Sequence, residues 1–546
     1  MSTPIKQRLS AGACGAALLL LTFAPASSQE EGQAREGFGD VHFATSCAPA
    51  AQQQFERAVA ILHSFWYEEA AKAFTAVTVT DPSCAIGYWG VAMSHWYPLW
   101  FPPSETALET GLATIEKAKA VGAKTQREND YIAAIEAFYK DWDKLDHRSR
   151  SAAYEKAMEQ VYTSHPDDRE AGLFYALALN GTALPTDKTY ANQLRAADIL
   201  EKVFAEQPNH PGAAHYLIHS YDSALLAERG LPAARRYASV APSVPHALHM
   251  PSHIFTRRGL WQESIDSNRA AHEAARAYAE QTIGSNSWDQ ETLHTLDYLA
   301  YAHLQMAQDR EAKRVVDDLS TFRQGPPGLP AAYAVAAIPS RYALERRSWS
   351  EAATLASPAI PFPLERFPWA EAMIAFTRAL GAAQTGDLAA AQAEIAKLQA
   401  LEEKLIQAKD SYWANLVEAQ RLGASAVTSR AQGKNKEAIE LARAAADLED
   451  SMDKHPATPA AVLPARELYA DLLLELGDPE SALTEYEQSL RANPNRVRSI
   501  IGIARAAKLS GDAPKARDAY QSVLALWSQA DTERQELTEA RAFLTN

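Results

Sequence analysis

A spacing of 34 residues recurs along this chain and constrains its fold more than any other feature of the sequence. Near the C-terminus this spacing separates Gly477 from Gly511 and Tyr486 from Tyr520. Small residues let two antiparallel helices approach closely, and an aromatic side chain fills the gap to the next pair of helices. The period therefore predicts an all-α chain of stacked helical hairpins.

Upstream segments follow the same pattern. The second helix of a hairpin is predicted to begin close to Tyr67, Gly259, Asp309 and Gly433. The pattern resembles the tetratricopeptide repeat (TPR). This resemblance implies a TPR-type α-α solenoid, a right-handed superhelix of antiparallel helix hairpins in which some repeats are degenerate. No segment alternates polar and apolar residues over a length useful for a β-strand.

Composition divides the predicted solenoid into blocks, because proline-rich stretches at 323–330 and 355–368 interrupt the repeats. The predicted blocks are a signal peptide (1–28), a loose N-terminal segment (29–44), an N-terminal TPR-like block with a histidine-rich groove (45–322), middle helical repeats (331–455) and C-terminal TPR repeats (460–546).

The first residues are typical of a secretory signal peptide. Lys6 and Arg8 precede an apolar stretch, residues 11–23, and small residues follow it. That stretch is too short for a comfortable membrane span, and no later stretch approaches the required length of about 18 apolar residues. We therefore expect a periplasmic or secreted protein with no transmembrane segment.

Cleavage of the signal removes Cys14 and leaves two cysteines, Cys47 and Cys84. Two thiols in an exported chain are expected to pair, which would clamp the first helical hairpin to the next helix. Two separate buried thiols are the alternative.

Charge and missing motifs exclude several classes of function. The formal charge of −15 argues against a general affinity for nucleic acid, because counterion release requires a basic face. The sequence has no GxSxG, HExxH, Walker A or GxGxxG motif. Standard catalytic signatures are therefore missing, and the sequence names no substrate.

Histidines are concentrated in one part of the chain. His215 and His219 form an i, i+4 pair that shares one helical face, and His249 and His253 form a second pair 34 residues later. Equivalent helices of adjacent repeats lie roughly 8–10 Å apart. The sequence therefore predicts that four imidazoles converge on one transition-metal ion, with Zn, Cu and Fe not distinguished.

Further residues on the same helical stripes are candidates for an additional ligand or for a partner that orients a ligand. These are His246, His294, Asp222, Asp297 and Tyr301. The resemblance to TPR proteins implies that the stripes line the concave groove. Pro251 should break its helix, which would loosen the convergence and let His246 replace His249.

Other side chains have a structural and a functional interpretation. Trp89, Met93 and Trp96 share a helical face that could form a wall of the groove, but packing between repeats is the favoured explanation. The same holds for the neighbouring aromatic residues Trp66, Tyr67 and Tyr97. A run of arginines, residues 341–347, is interpreted as solvated or at the edge of the groove.

Residues 208–261 resemble a group of exported bacterial TPR proteins, carried by His-Pro-Gly at 210–212 and by the two histidine pairs. The resemblance implies fold and compartment but no reaction. We expect an exported solenoid that binds a transition metal and a protein, peptide or small-molecule ligand in its groove. A metal-dependent hydrolase or oxidoreductase using the same residues is one alternative. A metal-free scaffold for protein–protein interaction is another, in which duplicated histidines form a polar network.

Overall fold

The computed structural model describes residues 37–99, 102–356 and 360–545, and the predicted signal peptide with Cys14 lies outside these ranges. Glu36–Asn546 forms one compact unit. Within the described ranges every regular element is a helix, apart from an isolated bridge between Ser287 and Gln324. None of the described helices combines the length and the apolar character needed to span a membrane.

The N-terminal half consists of consecutive helices that pack on their chain neighbours as hairpins. These are α1 (Pro49–His63), α2 (Tyr67–Thr80), α3 (Ala85–Met93), α4 (Glu105–Val121), α5 (Gln126–Tyr139), α6 (His147–Ser164), α7 (Arg169–Thr182), α8 (Ala191–Glu206), α9 (Pro211–Tyr221), α10 (Ala227–Val240), α11 (Pro245–His249), α12 (Pro251–Arg257) and α13 (Trp261–Thr282).

The second half continues the hairpins, with a 3₁₀ turn at Leu364–Arg366. Its helices are α14 (Gln290–Gln305), α15 (Asp309–Leu319), α16 (Leu329–Glu345), α17 (Trp349–Ala353), α18 (Pro368–Thr385), α19 (Leu388–Gln407), α20 (Ser411–Ala431), α21 (Asn435–Asp450), α22 (Ala465–Glu475), α23 (Pro479–Ala492), α24 (Val497–Leu509), α25 (Ala513–Leu526) and α26 (Gln535–Thr545). The predicted all-α solenoid is confirmed.

The packing between repeats has the predicted cause, but at glycines other than Gly477 and Gly511, which lie in turns with φ of 82°. A methyl group on Gly502 of α24 would lie 2.3 Å from the ring of Tyr486 on α23, so the aromatic side chain occupies the space that the glycine leaves. Gly90 and Phe74 make the same close approach between α3 and α2, at 2.1 Å. Small and aromatic residues at repeat positions therefore set the spacing of adjacent helices.

Cys47 and Cys84 form a disulfide with a Cα–Cα distance of 4.8 Å, which ties the start of α1 to the residue before α3 as expected. Part of the predicted loose segment differs from expectation. The side chain of Phe43 is fully buried against Phe55 and Trp89. Apolar residues at the end of the segment therefore pack onto the first hairpin.

The structure confirms the interpretation of one group of large side chains and corrects that of another. Trp89, Met93 and Trp96 belong to the apolar core, as the packing interpretation predicts. The expectation that the arginine run is solvated is wrong for Arg341, which is fully buried with its Nε 3.2 Å from a carboxylate oxygen of Asp297. A buried charge needs such a partner because it has lost its hydration.

Residues 451–464, here called the inner segment, link α21 to α22 and cross the face formed by the first helices of several hairpins. Backbone oxygens of Asp453, Thr458 and Ala460 accept hydrogen bonds from tyrosines of α20, α14 and α16 at 2.8–3.3 Å. Lys454 reaches Asp222 beside α9, with 3.3 Å between Nζ and Oδ2. The predicted open groove is therefore partly filled by the chain itself.

The C-terminal repeats pack back onto the middle of the solenoid. The indole Nε1 of Trp261 donates to the backbone oxygen of Asn495 at 3.0 Å, and Trp527 donates in the same way to Gln305 at 2.9 Å. Arg534 pairs with Asp309 close by. These contacts join segments more than 200 residues apart in sequence.

Candidate metal centre

Short helices of three adjacent hairpins position the predicted histidines. His215 and His219 lie on α9, His246 and His249 lie on α11, and His253 lies on α12. His294 on α14 belongs to the next hairpin. All six rings are contiguous, and together they are called the imidazole cluster.

Pro251 breaks the helix between α11 and α12, as predicted. Met250 keeps helical angles, with φ −52° and ψ −36°, so the chain continues in nearly the same direction. His249 and His253 therefore still meet, with 2.9 Å between their Nε2 atoms. His246, and not His249, joins His215 and His219, as the alternative predicted.

The four predicted ligands do not converge on one point, which corrects the single four-histidine site. They divide between two triads, in each of which one ligand atom per residue lies within 4.8 Å of the others. The first triad is His215–His219–His246 and the second is His249–His253–His294. Each helical pair is thus completed by a histidine expected only as an additional ligand.

The Nδ1 atoms of the second triad are held by oxygen acceptors outside it. His249 Nδ1 lies 2.6 Å from Asn268 Oδ1, and His253 Nδ1 lies 3.0 Å from Asp222 Oδ2. The amide of Asn268 is oriented because its Nδ2 donates to the backbone oxygen of Ser264 at 2.7 Å. Both imidazoles therefore carry their proton on Nδ1, as ligating histidines usually do.

This assignment places two nitrogen lone pairs face to face. A neutral imidazole with a proton on Nδ1 has only a lone pair on Nε2. The Nε2 atoms of His249 and His253 lie 2.9 Å apart with no N–H between them. Two buried acceptors at this distance repel each other unless a cation lies between them.

A proton is a poor candidate for that cation. Burial lowers the pKa of His249 to about 3, although Glu291 opposes the shift. Burial also lowers the pKa of His253, against the attraction of Asp222. Two cations, Arg257 and Lys454, already pair with that aspartate, so its charge is largely compensated without an imidazolium. A metal ion accepts both lone pairs and needs neutral imidazoles.

Asp222 accepts from His253 Nδ1, whereas Asp297 and Tyr301 do not join either triad. Asp297 pairs with Arg341, and its burial raises its pKa to about 6. The hydroxyl of Tyr301 accepts from Arg496 at 3.3 Å. Both were predicted from the helical stripe that also contains His294. Arg341 and Arg496 contact them instead.

Two cavities reach the imidazole cluster. The larger, of about 760 Å³, contacts His246 and His294, which is one histidine of each triad. Its other walls are mainly aromatic, with Phe65, Trp66, Tyr67, Tyr97 and Tyr278 among them. The smaller, of about 540 Å³, contacts His219, Asp222 and Lys454. The cluster is buried but has routes of access for an ion and a small molecule.

A second histidine cluster lies next to the first. The carboxylate of Glu170 accepts from His63 Nε2 and from His210 Nε2, each at 2.8 Å, and these three residues are called the glutamate cluster. The backbone oxygen of His63 accepts from His215 Nδ1 at 2.6 Å. The glutamate cluster thus orients a member of the imidazole cluster through the backbone.

Sequence reasoning missed three contributors to this site. Asn268 and Glu291 orient His249 and His246 through Nδ1, at 2.6 and 2.9 Å. Phe65 has a positive φ of 55°, and its ring centroid lies 4.3 Å from that of His215. No polar residue lies 34 positions before or after Asn268, so the repeat period gave no signal for it.

Neither a family model nor a curated protein matches this sequence. Among solved structures, a human IFIT1 dimer with PPP-AAAA is 12% identical, covers 86% of this chain and 89% of its own, and has a TM-score of 0.36. A human IFIT1 dimer with m7Gppp-AAAA is also 12% identical, covers 81% of this chain and 90% of its own, and has a TM-score of 0.34. Similarity at this level carries no information about the function of this chain.

Proposed function

We propose that this chain binds a transition-metal ion in the imidazole cluster, and that His249, His253 and His294 are its ligands. The observation that carries the proposal is the pair of Nε2 atoms 2.9 Å apart whose Nδ1 atoms both face acceptors. Two nitrogens bound to one ion at about 2.1 Å lie at most about 4.2 Å apart, so only small movements are required.

The donor set limits the identity of the ion. Imidazole nitrogens suit Zn, Cu, Fe and Ni, whereas Mg and Ca prefer oxygen ligands. The nearby carboxylates Asp222 and Glu291 bind Nδ1 atoms of histidines and are not directed at the Nε2 atoms. A borderline or soft metal is therefore favoured over a hard one.

Catalysis at the same site is a second candidate function, and the larger cavity favours it. Three protein ligands leave a coordination position for water or substrate, as in catalytic zinc sites. The cavity contacts His294 directly, so a bound molecule could reach that position. This supports a metal-dependent hydrolase or oxidoreductase. The inner segment occupies part of the face on which a peptide partner was expected, which favours a small-molecule ligand.

We propose further that the protein is exported to the periplasm or secreted. The Cys47–Cys84 disulfide supports this location, since disulfides persist in oxidising compartments. Fractionation of cells that express the untagged chain should place it outside the cytoplasm. Retention in the cytoplasm with reduced thiols would contradict export.

Elemental analysis of protein purified without an affinity tag tests the metal proposal. We expect a transition metal near stoichiometric amounts in the native chain, and loss of the second-triad ion in a His249→Ala/His253→Ala variant. A His165→Ala/His272→Ala variant is the matched control, because these histidines pair with Asp130 and Asp318 elsewhere. Metal-free native protein that takes up no added Zn²⁺, Cu²⁺ or Fe²⁺ would overturn the proposal.

A further inference from the structure

The first triad, His215–His219–His246, resembles the second in that two of its histidines have an oxygen acceptor at Nδ1. His215 Nδ1 lies 2.6 Å from the backbone oxygen of His63, and a carbonyl can only accept, so the proton is on Nδ1. His246 Nδ1 lies 2.9 Å from Glu291 Oε2. A neutral His215 therefore carries a lone pair on Nε2, and the Nε2 of His246 is directed away from Glu291. His219 Nε2 lies 3.0 Å from His215 Nε2.

The two triads adjoin without merging. Ring centroids are 6.2 Å apart between His219 and His253, and 6.1 Å apart between His246 and His249. Glu291 lies between the triads, with one carboxylate oxygen 2.9 Å from His246 Nδ1 and the other 3.9 Å from His249 Nδ1. Six imidazoles exceed the four ligands of a tetrahedral ion, so one ion cannot use them all.

We infer that each triad holds one transition-metal ion, so that the six imidazoles form a two-ion centre that takes a small anionic ligand from the larger cavity. This inference rests on the metal binding proposed above. It adds a second ion, assigns three ligands to each, and specifies the charge of the molecule that completes the coordination.

The charge of the ligand follows from the residues around the centre. Six neutral imidazoles bring no charge, whereas two divalent ions bring four positive charges. Two carboxylates face the cluster, and Asp222 is already paired with Arg257 and Lys454. Glu291, Glu68 and Asp289 line the larger cavity with three negative charges, and Lys72 adds one positive charge. The four positive charges of two ions are therefore only partly compensated, and buried charge requires a partner. An anion at the open coordination positions supplies it.

The larger cavity provides the position for that anion. It contacts His246 of the first triad and His294 of the second, and it is also lined by Glu291. Each triad has three protein ligands and thus one open position. A ligand in this cavity can therefore approach both ions at once.

Metal stoichiometry tests the second ion. Native protein equilibrated with Zn²⁺ and then dialysed should retain two ions per chain. His215→Ala and His253→Ala should each retain one, and the control His272→Ala should retain two. Because either variant could misfold, circular dichroism checks helicity, and His246→Gln serves as a second variant of the first triad.

The outcomes separate the two proposals. One ion per native chain overturns the two-ion centre and leaves the proposed metal binding intact. No ion in the native chain overturns both. Two ions in native protein and two in folded His215→Ala and His246→Gln would assign the second ion to another place and overturn the first triad.

Azide tests the anionic ligand. Co²⁺-loaded native protein should change its visible spectrum when azide is added, because the anion enters an open position. An unchanged spectrum at saturating azide would overturn the anionic ligand. Cu²⁺-loaded protein should show a spin–spin interaction between the two ions, and His215→Ala should show the spectrum of one isolated ion. An isolated-ion spectrum in Cu²⁺-saturated native protein would contradict a shared centre.

Discussion

The imidazole cluster and the glutamate cluster are both buried and rich in histidine, yet their nitrogen atoms face different partners. In the glutamate cluster, Glu170 accepts an N–H from His63 and another from His210. In the imidazole cluster, the Nε2 atoms of His249 and His253 face each other. The direction of the lone pairs, and not the number of histidines, is therefore the reason that we propose a metal site in the imidazole cluster.

The two clusters also differ in the charge of their buried groups. The pKa of Glu170 is lowered by His63 and His210 against a burial effect that raises it, so this carboxylate stays charged within its own cluster. In the imidazole cluster, burial lowers the pKa of His215 and His294 well below the usual value. Glu170 accepts a hydrogen bond from both rings of its cluster, whereas no N–H lies between the facing Nε2 atoms of His249 and His253.

Loss of metal is the largest effect that separates the clusters. A His249→Ala/His253→Ala variant should lose affinity at that site by roughly 10,000-fold, taking about 3 kcal/mol for each ligand of a structural zinc site. A His63→Ala/His210→Ala variant should keep its metal in the molecules that remain folded. Competition with a chelator of known affinity measures both. Equal loss of metal in the two variants would remove the distinction.

The free energy of unfolding of the metal-free protein should depend on the glutamate cluster. Glu170→Ala leaves two buried imidazole N–H groups without an acceptor, and each such group costs about 1–3 kcal/mol in the free energy of unfolding. Urea unfolding of the metal-free protein measures this, and metal content should be unchanged in the folded fraction. A loss below about 1 kcal/mol would show that Glu170 does not stabilise the fold as the acceptor of these two imidazoles.

Loss of the side chain that orients His249 should have an intermediate effect on metal affinity. Asn268→Ala removes the acceptor of His249 Nδ1–H. Loss of such a partner typically lowers metal affinity by about 10–100-fold. Asn268→Asp keeps an acceptor and should keep most of the affinity. If both variants bind metal as tightly as the native chain, Asn268 does not determine which nitrogen of His249 faces the ion.

Acidification should have the smallest effect near neutral pH. The folded pKa of His249 is about 3, below its ordinary value of 6.5, so the unfolded chain binds the proton first as the pH falls. Stability of the metal-free protein is therefore constant above about pH 6.5 and declines from there toward pH 3. Between pH 7 and 6 the loss is under about 1 kcal/mol for each such histidine. Chemical unfolding across this range measures it, and a gain in stability on acidification would contradict it.

Much of this architecture is predictable from local sequence pattern. The interval from Tyr486 to Tyr520 predicts the hairpins because small and aromatic residues act between neighbouring helices. The histidine pairs also appear at the sequence level, since each pair spans one helical turn. The sequence pattern does not predict where the inner segment lies, because its partners, such as Tyr298 and Tyr333, are more than 100 residues away in sequence.

The division into two triads depends on three-dimensional detail. Repeat spacing places His215 and His249 on equivalent helices but does not give the angle between them. The break at Pro251 and the partners Asn268 and Glu291 set the direction of each ring. Asp297 lies on the predicted stripe and still faces away from the triads, because Arg341 of the next hairpin pairs with it.

The claim that a metal ion lies between facing lone pairs is tested most directly by a crystal structure of the metal-loaded chain with anomalous scattering. We predict an anomalous peak about 2.1 Å from the Nε2 atoms of His249 and His253, with Asn268 and Asp222 still holding the Nδ1 atoms. A loaded crystal with its metal bound only at Glu170, or with no peak between these two rings, would contradict the account.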